Sequence, residues 1–492
     1  MYYPSIFNDA IGPVMRGASS SHVAAAHRIG AMACDYMDGD FQSVLIEYDP
    51  NGSLEPTHDS QGSDMGLFTG LMGWPIIDER MVESRRFLEE TGVSVDIRIT
   101  DYGATHENTY KLSLENETHK LCMIAISIGG GMIEVIEING TTVSMFGDYH
   151  ETLVFGDLPD QDLNAEYVFD RGAFTQIKSS HPLKLANSRT IAPVLPIGAR
   201  KDLVVPFIDT QSMLAYNVEK NLPLWELAVH YESQRGDIPP VEVFEKMREI
   251  VRILDHSIEQ GIAGTKYEDR IYPAQAPKFK EKTGANNFLN LGVHNDVILA
   301  VTALMDVKSA MGVIVAAPTA GSCGTLPGTC LGVANALNMS EDQKVKAMLA
   351  AGLIGVFIAH MATFSAEIGG CQAETGSGSG MAAAALITLF DGTVDQAISA
   401  ASMALQNTFG LVCDPVANRV EAPCLGKNVL MAGNALSAAN MVLAGFEALI
   451  PLDEVIVAMH KVGQAIPCEL RCTGKGGLAM TPTGQELFKK FN

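Results

Sequence analysis

Charged residues are scarce in this chain of 492 residues: they make up 18% of it, whereas hydrophobic residues make up 47%. A chain of this length and composition can bury a deep apolar core and form about two or three domains. Basic residues are the scarcer sign, since 34 Lys and Arg face 57 Asp and Glu and leave a net charge of -23. A field of this sign disfavours nucleic acid and anionic membranes as partners. We therefore expect small-molecule partners.

The sequence also lacks the marks of export, of membrane insertion and of disulfide bonding. The first eleven residues have neither the basic start nor the apolar run of a secretory signal. The apolar stretches at 313–337 and 381–390 are interrupted by Pro and Gly or are too short to span a bilayer. The nine cysteines are odd in number and unevenly spaced, which favours reduced thiols or metal ligands. We expect a cytoplasmic protein.

The first third of the chain, residues 1–150, has the pattern of an α/β sheet domain. Apolar residues alternate with polar ones over 93–99, and Asn139-Gly140 predicts a hairpin between strands at 134–138 and 141–145. Helical patterns at 23–36 and 65–72 would cover one face of this sheet.

The rest of the chain changes character twice. Residues 151–209 contain strand-like pieces at 190–195 and 202–208, and they suit either a linker or a small regulatory module. Residues 210–492 have little β alternation and predict an all-helical domain, with a helix after Pro239-Pro240. Further predicted helices lie at 296–309, 344–363, 380–390, 394–406 and 428–449. The predicted fold class is therefore α+β.

Three of the nine cysteines stand in motifs with no obvious packing reason for a thiol. Cys371 lies in a Gly-rich run, Cys413 precedes an Asp-Pro pair, and Cys424 follows a proline. Three thiolates can hold three irons of a cubane cluster and leave the fourth iron open as a Lewis acid. The alternative is that these cysteines are small, buried and inert.

Loops rich in small residues lie between the apolar runs of the helical region. The first contains the candidate substrate-binding residues Thr319, Ala320, Gly321 and Ser322. Its backbone N–H groups suit a substrate carboxylate, although a tight helix-to-helix connection explains the loop equally well. A second loop, 374–380, could wrap a cluster. Arg419 could bind a carboxylate with two hydrogen bonds, or it could pair with Glu421 or Asp414.

Two polar clusters in the sheet domain supply candidate catalytic side chains. The candidates are Ser20, Ser21 and His22 in the first cluster and His58, Asp59 and Asp64 in the second. The first cluster could cap a helix or hold a small polar ligand. The second offers an acid or a base, because its histidine lies in a dense polar loop and is not an isolated surface residue.

The chain resembles, over nearly its whole length, the bacterial iron-sulfur-dependent L-serine dehydratases in their single-chain form. The motifs that carry the resemblance are 317–322, 366–372, 413–416 and 423–424 in the helical part, and 17–22, 52–54, 106–109 and 127–131 in the sheet domain. The order of the two parts is also that of the single-chain forms.

This resemblance implies that Cys371, Cys413 and Cys424 ligate a 4Fe-4S cluster whose fourth iron binds the substrate. A base would remove the α-proton of L-serine while the iron polarises the β-hydroxyl, and the products would be pyruvate and ammonia. The sheet domain is similar to the substrate-binding regulatory domain of phosphoglycerate dehydrogenases and would close over the active site. We also expect a homo-oligomer with a role in amino-acid degradation and gluconeogenesis.

The chain departs from the family pattern at three places. Gln61 stands where the family usually carries a histidine, so we expect His58 to substitute as the acid or base. Ala18 stands where a proline is common. The chain also ends without the terminal cysteine that reaches the open iron in some members, and neither Cys468 nor Cys472 is expected to be a ligand.

Three other functions stay open at this point. The Gln61 change leaves room for a 2-hydroxymethyl dicarboxylate substrate such as 2-(hydroxymethyl)glutarate, whose extra carboxylate Arg419 would hold. A non-catalytic iron-sulfur or amino-acid sensor is disfavoured by the full set of catalytic-domain motifs. A pyridoxal-phosphate dehydratase is disfavoured because no lysine lies in a suitable Ser-x-Lys context.

Overall fold

The structure, a computed structural model, describes residues 3–17, 20–59, 61–160, 163–285 and 288–491, without the side chain of Ser20. It contains two compact units, Met15–Leu203 and Met1–Val14 with Val204–Asn492. Strands dominate the first unit and helices dominate the second. The α+β class predicted from the sequence is therefore confirmed.

In the residues that the structure describes, the strand-rich unit contains two sheets and three helices. Its elements are β1 (Val14–Arg16), α1 (Ser20–Tyr36), β2 (Ser43–Tyr48), α2 (Ser63–Leu71), the 3₁₀ turn Glu79–Glu83, α3 (Ser84–Glu90), β3 (Ser94–Ile99), β4 (Thr109–Glu115), β5 (Lys120–Gly129), β6 (Met132–Ile138), β7 (Thr141–Met145), β8 (His150–Val154), β9 (Tyr167–Asp170), β10 (Thr175–Ser179) and β11 (Ser188–Ile191). The larger sheet has the order β3-β2-β4-β5-β6-β7, and the smaller has the order β11-β8-β10-β9. The β2–β3 pair is parallel and the other pairs are antiparallel.

The larger sheet forms where the sequence pattern predicts it. Strands β6 and β7 pair Ile138 with Thr141 across a turn in which Asn139 and Gly140 both have positive φ, 49° and 77°. A tight hairpin requires this backbone conformation, and Asn-Gly adopts it readily. The predicted hairpin is confirmed, as are the helices predicted near 23–36 and 65–72.

The segment predicted to be a linker or a small module carries strands β8 to β11, which form the smaller sheet of the strand-rich unit. Strand β11 ends at Ile191, short of the predicted 195, because Pro193 cannot donate to a sheet. The strand predicted at 202–208 is wrong, since that stretch has no strand. Pro206 in its centre removes the donor that a ladder would need.

Glycine residues allow the backbones of helices α1 and α2 to pack closely against each other. A Cβ atom at Gly66 would lie 2.4 Å from the Val23 carbonyl oxygen, and one at Gly70 would lie 2.1 Å from that of His27. A Cβ atom at Gly30 would likewise lie 2.3 Å from the Leu67 oxygen. Because later residues of α1 meet later residues of α2, the helices run in the same direction. Their N-termini are therefore neighbours.

Replacing Gly70 with alanine should destabilise the strand-rich unit, because the new methyl group meets backbone and has no room to move. We expect a loss of about 2–3 kcal/mol in the free energy of unfolding, the range of overpacked cores. Denaturant titration by circular dichroism measures it. The control is Gly426→Ala, a helical site with open space around it, where the same change should stabilise the protein by up to about 1 kcal/mol. Equal effects of the two changes would refute the close approach.

The second unit is built from helices. Its elements are α4 (Thr210–Asn217), α5 (Leu224–Gly236), α6 (Pro240–Ala263), α7 (Ala276–Lys282), α8 (Val293–Ser309), β12 (Val313–Val315), α9 (Thr325–Ala336), α10 (Glu341–Met361), α11 (Ala366–Gly369), α12 (Ser377–Leu389), α13 (Val394–Gln406), α14 (Cys424–Leu443), α15 (Leu452–Ala465) and α16 (Pro482–Phe491), with π-helical turns at Ile6–Ala10 and Gln372–Gly376 and 3₁₀ turns at Val416–Asn418, Cys468–Leu470 and Gly477–Met480. The unit is largely helical as predicted, but the three-residue strand β12 corrects the expectation that it is all-helical.

Helix boundaries follow local signals where these are strong. Helix α6 begins with Pro240 at its first turn, as predicted, because the missing proline N–H is not needed there. Helix α14 ends at Leu443, six residues before the predicted end, and the chain turns at Gly445, which has a φ of 92°. Helices α10 and α12 lie in the core of the unit.

Helix α10 is long and apolar enough to span a bilayer, judged by length and composition alone. However, 72% of its most apolar stretch is buried inside the fold. A core helix of a globular protein has the same character, so α10 is weak support for a membrane span.

Candidate active site

Two of the three predicted cysteines meet in the helical unit. Cys371 immediately precedes the π-helical turn Gln372–Gly376, and Cys413 lies in the loop between α13 and α14. The ligand atoms of Cys371, Glu374 and Cys413 all lie within 4.8 Å of one another. A π-helical turn inside a helix is a common mark of a functional site. The site therefore consists of two buried thiols and the carboxylate of a half-buried residue.

Cys424, the third predicted ligand, is the first residue of α14 and is 7% exposed. It lies outside the 4.8 Å group, yet it is close enough that Cys371 adds to burial in raising the pKa of the Cys424 thiol. Hydrogen bonds with Cys371 and Cys472, together with burial, raise the pKa of Cys413. All nine cysteines are free thiols. The raised pKa values favour the protonated forms of Cys413 and Cys424 as long as no metal is bound.

The buried side chain of Gln372 fixes the turn that carries Cys371. Its amide oxygen accepts a hydrogen bond of 2.7 Å from the Gly410 N–H, and its amide nitrogen donates one of 2.6 Å to the Met459 carbonyl. Its backbone N–H also donates to the Leu411 carbonyl, at 3.1 Å. The turn is thereby held against the segment that leads to the second cysteine.

An ion pair fixes the segment around Cys413. Lys427 of α14 donates to the Asp414 carboxylate at 2.6 Å and to the Val412 carbonyl at 2.7 Å. Asp414 also accepts a hydrogen bond of 2.9 Å from the Leu478 N–H. Lys427 thus holds Val412 and Asp414, the residues on either side of Cys413. Lys427 lies in α14, the helix that begins at Cys424.

The loop predicted to bind substrate lies beside Glu374. The Thr319 hydroxyl donates a hydrogen bond of 2.7 Å to Glu374 Oε1, and a Cβ atom at Gly321 would lie 2.9 Å from the same oxygen. The Ser322 hydroxyl accepts from the Thr319 N–H at 3.2 Å, and Ala320 is half-buried between them. Burial raises the pKa of Glu374 to about 7, against the opposing effect of the Thr319 hydrogen bond. Loop and thiols therefore form one site.

Asn428, which the sequence did not single out, ties this loop to Cys424. Its amide nitrogen donates to the carbonyls of Gly321 and Cys424, each at 2.9 Å, and its amide oxygen accepts from the Thr325 hydroxyl at 2.8 Å. The side chain is fully buried, so each of these hydrogen bonds satisfies a polar group that water cannot reach.

Lys308 is a second unpredicted residue at the site. It is 2% exposed, and within the described chain its ammonium makes one hydrogen bond, of 3.3 Å, to the Val420 carbonyl. Burial lowers the pKa of Lys308, while Cys323, Cys424 and Glu374 act in the opposite direction. A buried cation so placed can compensate the charge of thiolates.

The family resemblance of the sequence implies that these thiols hold iron, so we expect Lys308→Met to weaken metal binding, because the thiolates would then lose a buried counter-charge. The loss of one partner of a buried pair predicts a fall of at least about tenfold in iron affinity. Iron retained through gel filtration measures it. Lys344→Met is the matched control, since Lys344 pairs with Asp255 at 2.7 Å elsewhere in the unit and should leave iron content unchanged. Equal iron content in both variants would contradict the role.

Arg419, predicted to bind substrate, is engaged elsewhere in this structure. Its guanidinium donates to the Asp269 carboxylate at 2.7 Å and to the Phe491 carbonyl at 3.2 Å. The alternative prediction, that Arg419 pairs with Glu421 or Asp414, is therefore wrong. The segment that contains Asp269 packs over Arg419, a long-range contact that the sequence pattern does not reveal. Substrate binding by Arg419 stays a prediction.

In the strand-rich unit, His58 forms a carboxylate–histidine pair. His58 Nδ1 lies 2.6 Å from one oxygen of Asp64, and the Tyr48 hydroxyl donates to the other oxygen at 2.7 Å. The rings of Tyr48 and His58 stack with their centroids 4.6 Å apart. The imidazole is thereby fixed in position, and its Nε2 has no hydrogen-bond partner among the described residues. An oriented imidazole of this kind suits a general base.

The other candidates of this unit lie near the neighbouring N-termini of α1 and α2. Ser21 and His22 are half-buried in the first turn of α1, and burial lowers the pKa of His22. Ser20 begins that helix, but its side chain lies outside the described residues, as do Ala18 and Ser19. Asp59 is exposed, and its backbone carbonyl accepts from the Gly62 N–H at 3.0 Å. Catalytic roles for these residues stay predictions.

A family profile and three known proteins match this chain. A family profile described as Serine dehydratase alpha chain matches residues 219–479. The Probable L-serine dehydratase, alpha chain of Bacillus subtilis is 38% identical over 58% of this chain and 95% of that protein. The L-serine dehydratase of Helicobacter pylori is 26% identical over 97% of this chain and 98% of that protein. The Probable L-serine dehydratase, beta chain of B. subtilis is 36% identical over 31% of this chain and 69% of that protein.

Proposed function

The chain belongs to the serine dehydratase alpha chain family, and from this premise we propose that it eliminates water from L-serine and releases pyruvate and ammonia. It is a lyase. The observation that carries the proposal is the group of Cys371, Cys413 and Glu374 beside the loop at Thr319, inside the part of the chain that the family profile covers.

The donor set at this site fits an iron-sulfur cluster. Cys371, Cys413 and Cys424 are buried free thiols, and thiolate is the ligand that such clusters take. We propose that these three residues hold a 4Fe-4S cluster and leave one iron without a protein ligand. When bound, the cluster supplies a Lewis acid at the β-hydroxyl of the substrate.

The loop of Thr319 to Ser322 is proposed to bind the substrate carboxylate through backbone N–H and hydroxyl groups. Glu374 orients the Thr319 hydroxyl by accepting its hydrogen bond, and Asn428 fixes the Gly321 carbonyl. Lys308 and Lys427 add positive charge around the thiols. A water-poor and preorganised site of this kind strengthens every one of these interactions.

His58 is proposed as the base that removes the α-proton. Asp64 holds Nδ1, so Nε2 is the atom that takes the proton, and the carboxylate stabilises the imidazolium that results. Tyr48 in turn fixes Asp64 through its hydroxyl. Gln61 stands where the family usually carries a histidine. In this proposal His58, three residues earlier in the same loop, serves as the base instead.

We further propose that the protein works in the cytoplasm as a homo-oligomer and supplies pyruvate from amino-acid degradation to gluconeogenesis. Its matches to both an alpha and a beta chain of B. subtilis are consistent with one polypeptide that combines two subunits. The net charge of -23 disfavours nucleic acid and anionic membranes as partners.

The state of Arg419 favours L-serine over a 2-hydroxymethyl dicarboxylate, because a second carboxylate would have to displace Asp269 from the guanidinium. A substrate panel tests the choice, with anaerobic enzyme offered L-serine, D-serine, L-threonine and 2-(hydroxymethyl)glutarate. The proposal predicts pyruvate from L-serine and no turnover of the dicarboxylate. Turnover of the dicarboxylate alone would overturn it.

A further inference from the structure

Cys472 lies beside Cys413 through backbone pairing. Cys413 and Arg471 form an isolated parallel bridge, in which the Cys413 N–H donates to the Leu470 carbonyl and the Cys472 N–H donates to the Cys413 carbonyl, both at 2.8 Å. The paired Cα atoms of such a bridge, here those of Cys413 and Arg471, lie about 4.8 Å apart, and Cys472 is the next residue, about 3.3 Å further along its chain, which places its Cα about 6 Å from that of Cys413. Disulfides join Cα atoms that are about 4.4–6.8 Å apart. The backbone thus brings Cys413 and Cys472 to a separation that a disulfide can span.

The side chains of the two residues also meet. Cys472 packs against the small apolar cluster of Ala366, Cys371 and Cys413, and its thiol contacts the Cys413 thiol. Its φ of 63° lies in the left-handed region, which is unusual for a residue with a side chain. The surrounding contacts therefore impose this position.

The two thiols differ in access to solvent. Cys413 is 3% exposed, whereas Cys472 is half-buried. Cys371 also contacts Cys413, but it is as buried as Cys413 itself. A small oxidant from solvent therefore meets Cys472 before either of the other two sulfurs.

We propose that Cys472 is a redox-active thiol that captures Cys413 in a reversible disulfide when peroxide reaches the site. Hydrogen peroxide oxidises the Cys472 thiol to a sulfenic acid: an S–O bond forms, the O–O bond breaks, and one water leaves. The Cys413 sulfur then attacks the Cys472 sulfur, so that an S–S bond forms and the S–O bond breaks. The Cys413 proton leaves with the hydroxide as a second water. Two thiols and one peroxide thus give one disulfide and two waters.

The disulfide protects a thiol that the proposed cluster needs. A sulfenic acid that meets no thiol proceeds to sulfinic acid, which thiol reductants do not reverse. With Cys472 present, oxidation of Cys413 stops at the disulfide, and a dithiol returns both thiols by exchange. This benefit rests on the proposed function, whereas the pairing of the thiols does not and can be tested without it.

The test uses the 492-residue chain, iron-free and iron-loaded, treated with hydrogen peroxide and digested without reduction. Mass spectrometry of the iron-free protein should find a linked peptide that joins Cys413 to Cys472 and is lighter by two hydrogens. The link should persist in Cys468→Ser, the control with an exposed cysteine nearby. It should be lost in Cys472→Ser, in which Cys413 should accumulate sulfinic acid and iron should no longer rebind after dithiothreitol. A link between Cys371 and Cys413, or no link to Cys472, would overturn the proposal.

A second measurement separates a free thiol from a metal ligand. Iodoacetamide added to the anaerobic iron-loaded protein should alkylate Cys472 while Cys371, Cys413 and Cys424 stay unmodified. Protection of Cys472 would make it a fourth ligand and would contradict the proposal. If iron never binds, the proposed function fails, but the linked peptide of the iron-free protein still tests the thiol pair.

Discussion

Cys413→Ala should leave the enzyme without bound iron and without measurable release of pyruvate from L-serine. The variant removes one of three proposed ligands, and a carboxylate such as Glu374 is a poor substitute for a thiolate on iron. We expect iron and sulfide per chain to fall by more than about tenfold, because changing even a residue that only orients a metal ligand typically lowers metal affinity by about that factor. Iron and sulfide analysis of anaerobically purified protein, together with the visible spectrum, measures the result.

Cys468→Ala is the matched control for this experiment, because Cys468 is an exposed cysteine of the same helical unit. It should keep both iron and activity. The result for Cys413 must also come from folded protein, which the helical circular dichroism signal and the elution volume report. Full activity in a folded Cys413→Ala protein would contradict the proposed centre.

His58→Ala should lower the rate of turnover strongly while the iron content stays at the wild-type level. Loss of a positioned general base typically costs about 10²–10⁴ in rate, and we expect the loss in kcat more than in KM. Asp64→Asn should have a smaller effect of the same kind, because it removes the carboxylate that orients Nδ1 and leaves the imidazole in place. Steady-state kinetics with L-serine, beside iron analysis of the same samples, measures both effects.

The control for the imidazole is His119→Ala, because His119 is an exposed histidine on the same sheet domain. It should leave kcat unchanged. Tyr48→Phe is a second variant, which tests the positioning of Asp64. It removes the hydroxyl that donates to Asp64 and keeps the ring that stacks on His58. If His58→Ala keeps the wild-type kcat, the α-proton goes to another group and His58 is only structural.

The local parts of the fold could be predicted from the sequence because their causes are local. The Asn139-Gly140 hairpin and the start of α6 at Pro240 each rest on one dipeptide or one proline. The apolar run predicts an end of α14 at 449, six residues too late, because this run continues after the helix stops at Leu443. The apolar residues at 202–208 predict a strand, but Pro206 prevents it because proline has no N–H to donate to a sheet. Strand pairing in the smaller sheet is a long-range property, so no pattern revealed it.

The candidate site divides in the same way. The motifs around Cys371 and Cys413 predict that both thiols belong to the site, and the structure brings them together. Glu374 follows Cys371 by three residues, and Asn428 follows Cys424 by one helical turn, so helical periodicity could have indicated both. Lys308 carried a weaker signal, as a charge inside an apolar helical run. The approach of Cys472 to Cys413 had no signal at all, because it depends on how the end of the chain packs.

The central claim is that the buried cysteine group holds the metal on which activity depends. The most direct test removes iron from the anaerobically purified wild-type protein in steps with a chelator, and measures iron and the rate of pyruvate release on each sample. A cubane cluster predicts about four irons per chain in the fully active protein. The rate should fall with cluster content and return on reconstitution with iron and sulfide. An iron-free chain that deaminates L-serine at the full rate would contradict the account.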